Sequence, residues 1–194
     1  MIGIVKEKKK ICLRFVRLGD LSKLKVKVYT DASYSNIGDT SKTVSGRVIL
    51  IENCEKEILN VVSWKSKKIA RVCRSIKAAE TRALDEGLDE AVHLARIIKE
   101  IYDGEINLKT PSQIPVEACT DNKSLWENIF NTRQCEEKLL RNTIAGIKEL
   151  LELKMVNKVT WVPTKDQLAD CLTKKMKADW LLNAIEKNTL LKEI

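Results

Sequence analysis

Leu24, Val26 and Val28 alternate with Lys25, Lys27 and Tyr29, the period of two that a half-buried strand shows. The stretch LKVKVYTDASYS is therefore read as a first strand. The turn-rich NIGDTSK separates it from a second strand, TVSGRVILIE, and a turn from Asn53 to Lys56 leads to a third, EILNVVSWKS. Short connections make an antiparallel meander the simplest arrangement of these three. The period then lengthens. From Ser75 to about Ile101 the apolar positions Ile76, Ala79, Ala83, Leu88, Ala91, Ala95 and Ile98 recur every three or four residues. That spacing predicts a long amphipathic helix with Ser75 as its N-cap.

A loop through Gly104 and NLKTPSQIP precedes a short strand, PVEACTD. NKSLWENIF reads as a short helix. CEEKLLRNTIAGIKELLEL reads as a longer one, with Leu140, Ile144, Ile147 and Leu151 on one stripe. VNKVTWVP is the last strand. From Asp166 onward the chain is helical again, with Trp180, Ala184, Leu190 and Leu191 as apolar contacts. The order β-β-β-α-β-α-α-β-α predicts an α/β (mixed α+β) class, a mixed sheet flanked by helices, because a strand–helix–strand crossover favours parallel pairing. Residues 1–23 are read as an extension or connector: Lys6 to Lys10 are basic, apart from Glu7, and Ile11, Leu13 and Phe15 form a short apolar patch.

The chain has 194 residues, room for one ordinary domain with a core that needs no disulfide or metal to hold it. Lys and Arg number 35 against 27 acids, so the net charge of +8 leans toward a polyanionic partner. No apolar run is long enough to span a membrane, and the charged first residues, with no continuous apolar stretch after them, lead us to expect no signal peptide. Cys12, Cys54, Cys73, Cys119, Cys135 and Cys171 show no metal-knuckle or redox spacing, so reduced thiols and an intracellular setting are expected. No glycine-rich phosphate loop is present, which removes the motif for a nucleotide or other small-molecule cofactor.

Asp31 ends the first strand, Glu80 lies near the start of the long helix, Asp121 follows the fourth strand and Asp170 opens the last helical stretch. Strand ends and helix starts of one α/β domain are places where distant acids meet. Hard Mg²⁺ ions want oxygen ligands and leave room for substrate phosphate. Two ions about 4 Å apart can activate water and stabilise a leaving oxygen. Each acid also has a plain reading as a solvated surface group, and Asp121 and Asp166 stand where helix caps would.

Lys65, Lys67, Lys68, Arg71, Arg74 and Lys77 are uninterrupted by acids until Glu80, and such a run can contact several phosphates. Trp64, on an apolar strand, is expected in the core. Lys174, Lys175 and Lys177 form a second basic set, and a solvated basic face is the plain reading of both. His93, the single histidine, lies about 20 Å along the helix axis from Glu80. Histidine-based nucleophilic catalysis and a histidine-rich zinc site are thereby disfavoured.

At these acids the sequence resembles the ribonuclease H domain of Ty1/copia-type retrotransposon Pol polyproteins. YTDASYS at 29–35 is similar to the motif that carries the first metal-binding Asp, here Asp31. SKTVSG at 41–46 and VSWKSKK at 62–68 resemble the stretches that follow it. KAAETRAL at 77–84 gives Glu80, CTDNKSL at 119–125 gives Asp121, and WVPTKDQLADCLTKK at 161–175 gives Asp170.

The resemblance implies a ribonuclease H-like fold over residues 24–178, a five-stranded mixed sheet with its first three strands antiparallel, and a helical tail over 179–194. It implies hydrolysis of the RNA strand of an RNA–DNA hybrid during retrotransposon reverse transcription. Two Mg²⁺ ions, or Mn²⁺ as a substitute, would be held by Asp31, Glu80, Asp121 and Asp170, with Asp31 shared between them. Lys65, Lys67, Lys68, Arg71, Arg74, Asn122 and Ser124 are the expected nucleic-acid contacts, and a reverse transcriptase domain is the expected protein partner. The alternative is a catalytically inactive nucleic-acid-binding or polymerase-docking module of the same fold. Related enzymes often carry a histidine before the fourth acid; here Thr164 and Lys165 stand in that loop. With about 23 residues before the first strand, a polyprotein fragment, a decayed copy or a host-retained reading frame is the expected origin.

Overall fold

The computed structural model describes residues 12–34, 43–70, 72–104, 114–131, 135 and 137–190. Five strands form one sheet: β1 (Leu24–Ser33), β2 (Val44–Asn53), β3 (Ile58–Lys68), β4 (Val116–Thr120) and β5 (Lys158–Trp161). Their spatial order is β3-β2-β1-β4-β5. β2 runs antiparallel to both β1 and β3, while β4 runs parallel to both β1 and β5. The meander and the parallel crossover are thus the predicted ones. The turn predicted at 36–42 lies outside the described residues.

The helices are α1 (Ile76–Asp103), α2 (Lys123–Phe130), α3 (Arg141–Glu152), α4 (Asp170–Thr173) and α5 (Asp179–Lys187). Ser75 caps α1 as predicted, its hydroxyl accepting from the Ala78 N–H at 3.0 Å. Gly104 ends the helix at φ 74°, a left-handed conformation that a side chain disfavours. Among the described residues no helix is long and apolar enough to cross a membrane.

The sheet is packed on both faces. Val26 and Val28 of β1 join Ile49, Leu84, Leu88, Ala91, Val116, Leu125, Ile144 and Ile147 in the larger core, beneath α1 to α3. Tyr29, Val48, Leu50, Leu59 and Val61 join Leu168, Leu181, Ala184 and Ile185 in the smaller one, beneath α5. The last helical stretch is therefore two helices, split where Lys174 turns extended (φ −119°, ψ 153°). Asparagines tie the N-terminal segment to this body: Asn60 exchanges two hydrogen bonds with the Val16 backbone, and Asn188 donates to the carbonyls of Arg14 and Leu59.

Trp64 is not in the core. It is 48% exposed, on the outer half of the edge strand β3, where every residue from Trp64 to Lys68 is exposed. A local apolar pattern marks a strand but not its place in the sheet.

A glycine allows close approach at the sheet end that carries Asp31. A Cβ on Gly87 would lie 2.5 Å from Thr30 Cγ2, so α1 can close onto β1 beside Asp31 only with glycine there. Glu80 stands two turns earlier on the same helix face. Arg47 of β2, itself buried, pairs with Glu90 (2.5 Å) and Glu86 (3.3 Å) of α1 and fixes the helix across the sheet.

Candidate active site

Asp31, Glu80 and Asp121 converge. Each offers a carboxylate oxygen, and the three oxygens lie within 4.8 Å of one another. Asp31 sits near the end of the central strand and is 1% exposed. Glu80 comes from the first turns of α1 and is 5% exposed. Asp121 follows β4, half-buried, with its Oδ2 accepting from the Thr164 hydroxyl at 2.9 Å and its carbonyl accepting from the Trp161 indole at 3.0 Å. The neighbouring strands β1 and β4 are parallel, so their ends carry Asp31 and Asp121 to the same edge of the sheet.

Asp170 is buried at the start of α4 and reaches this cluster through a lysine. Lys174 Nζ lies 2.7 Å from Asp170 Oδ1 and 3.4 Å from Asp31 Oδ1. The Thr173 hydroxyl donates to Asp31 Oδ2. α4 itself is fastened by Gln167, whose amide donates to the Thr30 carbonyl at 3.0 Å, and by Ser66, whose hydroxyl donates to the Leu172 carbonyl at 2.6 Å.

The electrostatics follow from burial and like charge. Burial, then Asp31 and Asp121, push the Glu80 carboxyl up to about 9, against a weaker pull from the Ala32 N–H and Lys174. Burial also raises Asp170, opposed by its hydrogen bond from Lys174. Burial would lower Lys174, but Asp170 and Asp31 outweigh it and hold the ammonium charged. Glu80 Oε2 is buried with no hydrogen-bond partner among the described residues. An orphaned carboxylate oxygen costs stability unless a cation or proton meets it. An all-oxygen set with that orphan fits a hard divalent cation.

The other predicted residues are more scattered. Lys65, Lys67 and Lys68 are exposed on the outer half of β3, and Arg74 is exposed just before α1. Arg71 lies outside the described residues. Asn122, not Asp121, caps α2: its Oδ1 accepts from the Leu125 N–H at 2.9 Å, so this side chain has a structural task. Ser124 is exposed on the first turn of α2. His93 is exposed on α1, and the cysteines are free thiols.

Sequence reasoning left Lys174 in a solvated basic set and gave Thr173 no role. Their signal was the spacing of three and four residues from Asp170, which brings side chains together over one helical turn.

No protein-family model matches this sequence, and no curated protein matches it. Solved structures do. The N-terminal RNase H domain of Rv2228c from Mycobacterium tuberculosis, solved as a fusion with maltose-binding protein, is 20% identical, with a TM-score of 0.54 over 77% of this chain and 91% of that one. LC11-RNase H1 in complex with an RNA/DNA hybrid is 19% identical, with a TM-score of 0.54 over 81% and 99%. RNase H1 from the halophilic archaeon Halobacterium salinarum is 18% identical, with a TM-score of 0.53 over 76% and 93%. The chain therefore has an RNase H1-like fold, and Asp31, Glu80 and Asp121 meet at one end of its sheet as a group capable of coordinating a divalent cation.

Proposed function

We propose that this chain is a divalent-metal-dependent endonuclease that hydrolyses the RNA strand of RNA–DNA hybrids. The observation that carries the proposal is the meeting of Asp31, Glu80 and Asp121, with one buried Glu80 carboxylate oxygen that no group among the described residues satisfies. A silent binding module has no use for that cluster, which repels itself without a cation. That one fold relative was solved on an RNA/DNA hybrid supports the substrate class.

In this reading Asp31, Glu80 and Asp121 hold one Mg²⁺, and Asp31 with Asp170 holds a second, with Mn²⁺ as a substitute. Bound ions supply a more acidic water and charge compensation at the phosphate. Thr164 holds one oxygen of Asp121 in place, and Thr173 does the same for Asp31. Lys65, Lys67, Lys68, Arg71 and Arg74 would neutralise backbone phosphates along the exposed edge, with Ser124 as a further polar contact. Discrimination of RNA from DNA would come from 2′-hydroxyl and shape contacts. The order of motifs supports a Ty1/copia-type retrotransposon origin beside a reverse transcriptase domain, and the free thiols support an intracellular setting.

The test is cleavage of end-labelled RNA–DNA hybrid, RNA duplex and DNA duplex, each with Mg²⁺ or with chelator. Cutting confined to the RNA of the hybrid, and dependent on the metal, is expected. Equal cutting of all three, or cutting in chelator, overturns the proposal.

A further inference from the structure

Lys174 occupies a singular place. Its ammonium bridges two carboxylates that are 1% and 6% exposed, yet its own side chain is 43% exposed. The side chain is thus partly open to solvent even though its ammonium contacts both acids. Lys174 is also the residue at which α4 stops and the backbone turns extended, so no helix wall confines the side chain. A four-carbon stem of this kind has several rotamers that lead outward.

The oxygens it holds are Asp31 Oδ1 and Asp170 Oδ1. These belong to the two acids that the nuclease reading gives to the second ion. The first-ion cluster shares Asp31 with this pair but adds Glu80, whose Oε2 has no hydrogen-bond partner among the described residues. The two halves of the site are therefore unequal. One keeps a carboxylate oxygen without a partner, while in the other both acids are held by the same tethered ammonium.

We infer that Lys174 is a built-in counter-ion that competes with the second divalent ion for Asp31 and Asp170, so that the two ions bind in sequence with the second much weaker. An ammonium and a divalent ion cannot share the same pair of oxygens, because the ion needs contact at about 2.0–2.1 Å and repels the positive charge. Entry of the second ion thus requires the lysine to swing out. Tethering a cation there also holds the acids of α4 and β1 together before metal arrives, which a cluster of like charges alone would not do. Lys174 is a positioning residue in this account.

This inference rests on the metal-site reading above, and its test separates the two. Mn²⁺ binding to the full chain is measured by titration calorimetry and by electron paramagnetic resonance, without nucleic acid, for the unaltered protein, Lys174→Met and Lys174→Arg. Melting temperatures of the metal-free proteins are recorded beside them. The unaltered protein should bind one ion and then a second, weaker one. Lys174→Met, which keeps the stem and removes the charge, should tighten the second ion by at least about tenfold and the first, which shares only Asp31 with the lysine, by a clearly smaller factor. It should also lower the metal-free melting temperature. Lys174→Arg, which keeps the charge, should leave the second ion weak. A second-ion affinity that Lys174→Met does not change, with the first ion bound normally, overturns this inference alone. No ion bound to the unaltered protein overturns the metal-site reading and this inference with it.

Discussion

Gly46 stands directly opposite Asp31 in the β1–β2 ladder, and the room left by its missing side chain is taken by α4. A Cβ there would lie 2.7 Å from Thr173 Cγ2, 3.0 Å from Leu172 Cβ and 3.1 Å from the Ala169 carbonyl. α4 carries Asp170 and delivers Thr173 and Lys174 to Asp31, so this close approach sets the distance between the two ends of the acid site. Gly46→Ala should destabilise the protein by about 1–3 kcal/mol through overpacking. It should lower hybrid cleavage further than the reduced stability explains, because Asp170 moves off Asp31. Thermal melting and cleavage at a temperature where the variant is fully folded check the two parts.

The Glu80 carboxyl sets a pH dependence of stability. Folding raises it from its ordinary 4.5 to about 9, so between those values the folded chain binds more protons than the unfolded one. Stability from this group is complete below about pH 4.5 and is lost as pH rises through about 9. In chelator, the melting temperature of the unaltered protein should therefore fall toward alkaline pH more than that of Glu80→Gln. A divalent ion favours the ionised carboxylate, so added metal should stabilise more as pH rises. Parallel pH profiles for the two proteins in chelator would contradict this account of Glu80.

Metal should act as a stabilising ligand. An ion present at a hundredfold excess over its dissociation constant adds about 2.7 kcal/mol to stability. Mg²⁺ should raise the melting temperature of the unaltered chain and of Lys67→Ala, and should do so little for Asp31→Asn or Asp121→Asn. Differential scanning calorimetry with and without Mg²⁺ checks it.

The exposed outer half of β3 should govern the salt dependence of binding. Removing one lysine–phosphate pairing flattens the slope of log affinity against log salt by about one. Changing Lys65, Lys67 and Lys68 together to Ala should flatten it by up to about 3 and leave melting nearly unchanged, since these side chains are exposed. Fluorescence anisotropy with a labelled hybrid over a salt series measures the slope. Lys67 also stands 3.9 Å from Glu86, a surface pair of little weight.

What could be read in the sequence follows from how local each signal is. Alternation marked β1, the longer period marked α1, and the Ser75 cap was visible as a residue type at a helix start. That Asp31, Glu80 and Asp121 come together was legible because each lies near the end or the start of an element. Trp64 was misplaced because edge position is decided by sheet order, which its own neighbours do not encode. The split between α4 and α5 at Lys174 was hidden because both halves keep a helical period. Asp121 and Asn122 are adjacent and both able to cap; only the fold shows that Asn122 takes that task and leaves Asp121 for the site. The part of Lys174 depends on its approach to Asp31, 143 residues away, which no local pattern encodes.

The most direct test of the central claim is single-turnover cleavage of a labelled RNA–DNA hybrid in Mg²⁺ by the unaltered chain and by Glu80→Gln, both shown to be folded and to bind the hybrid. The account predicts metal-dependent cutting of the RNA strand by the first and a loss of at least about a hundredfold by the second. Equal rates from the two proteins would contradict it.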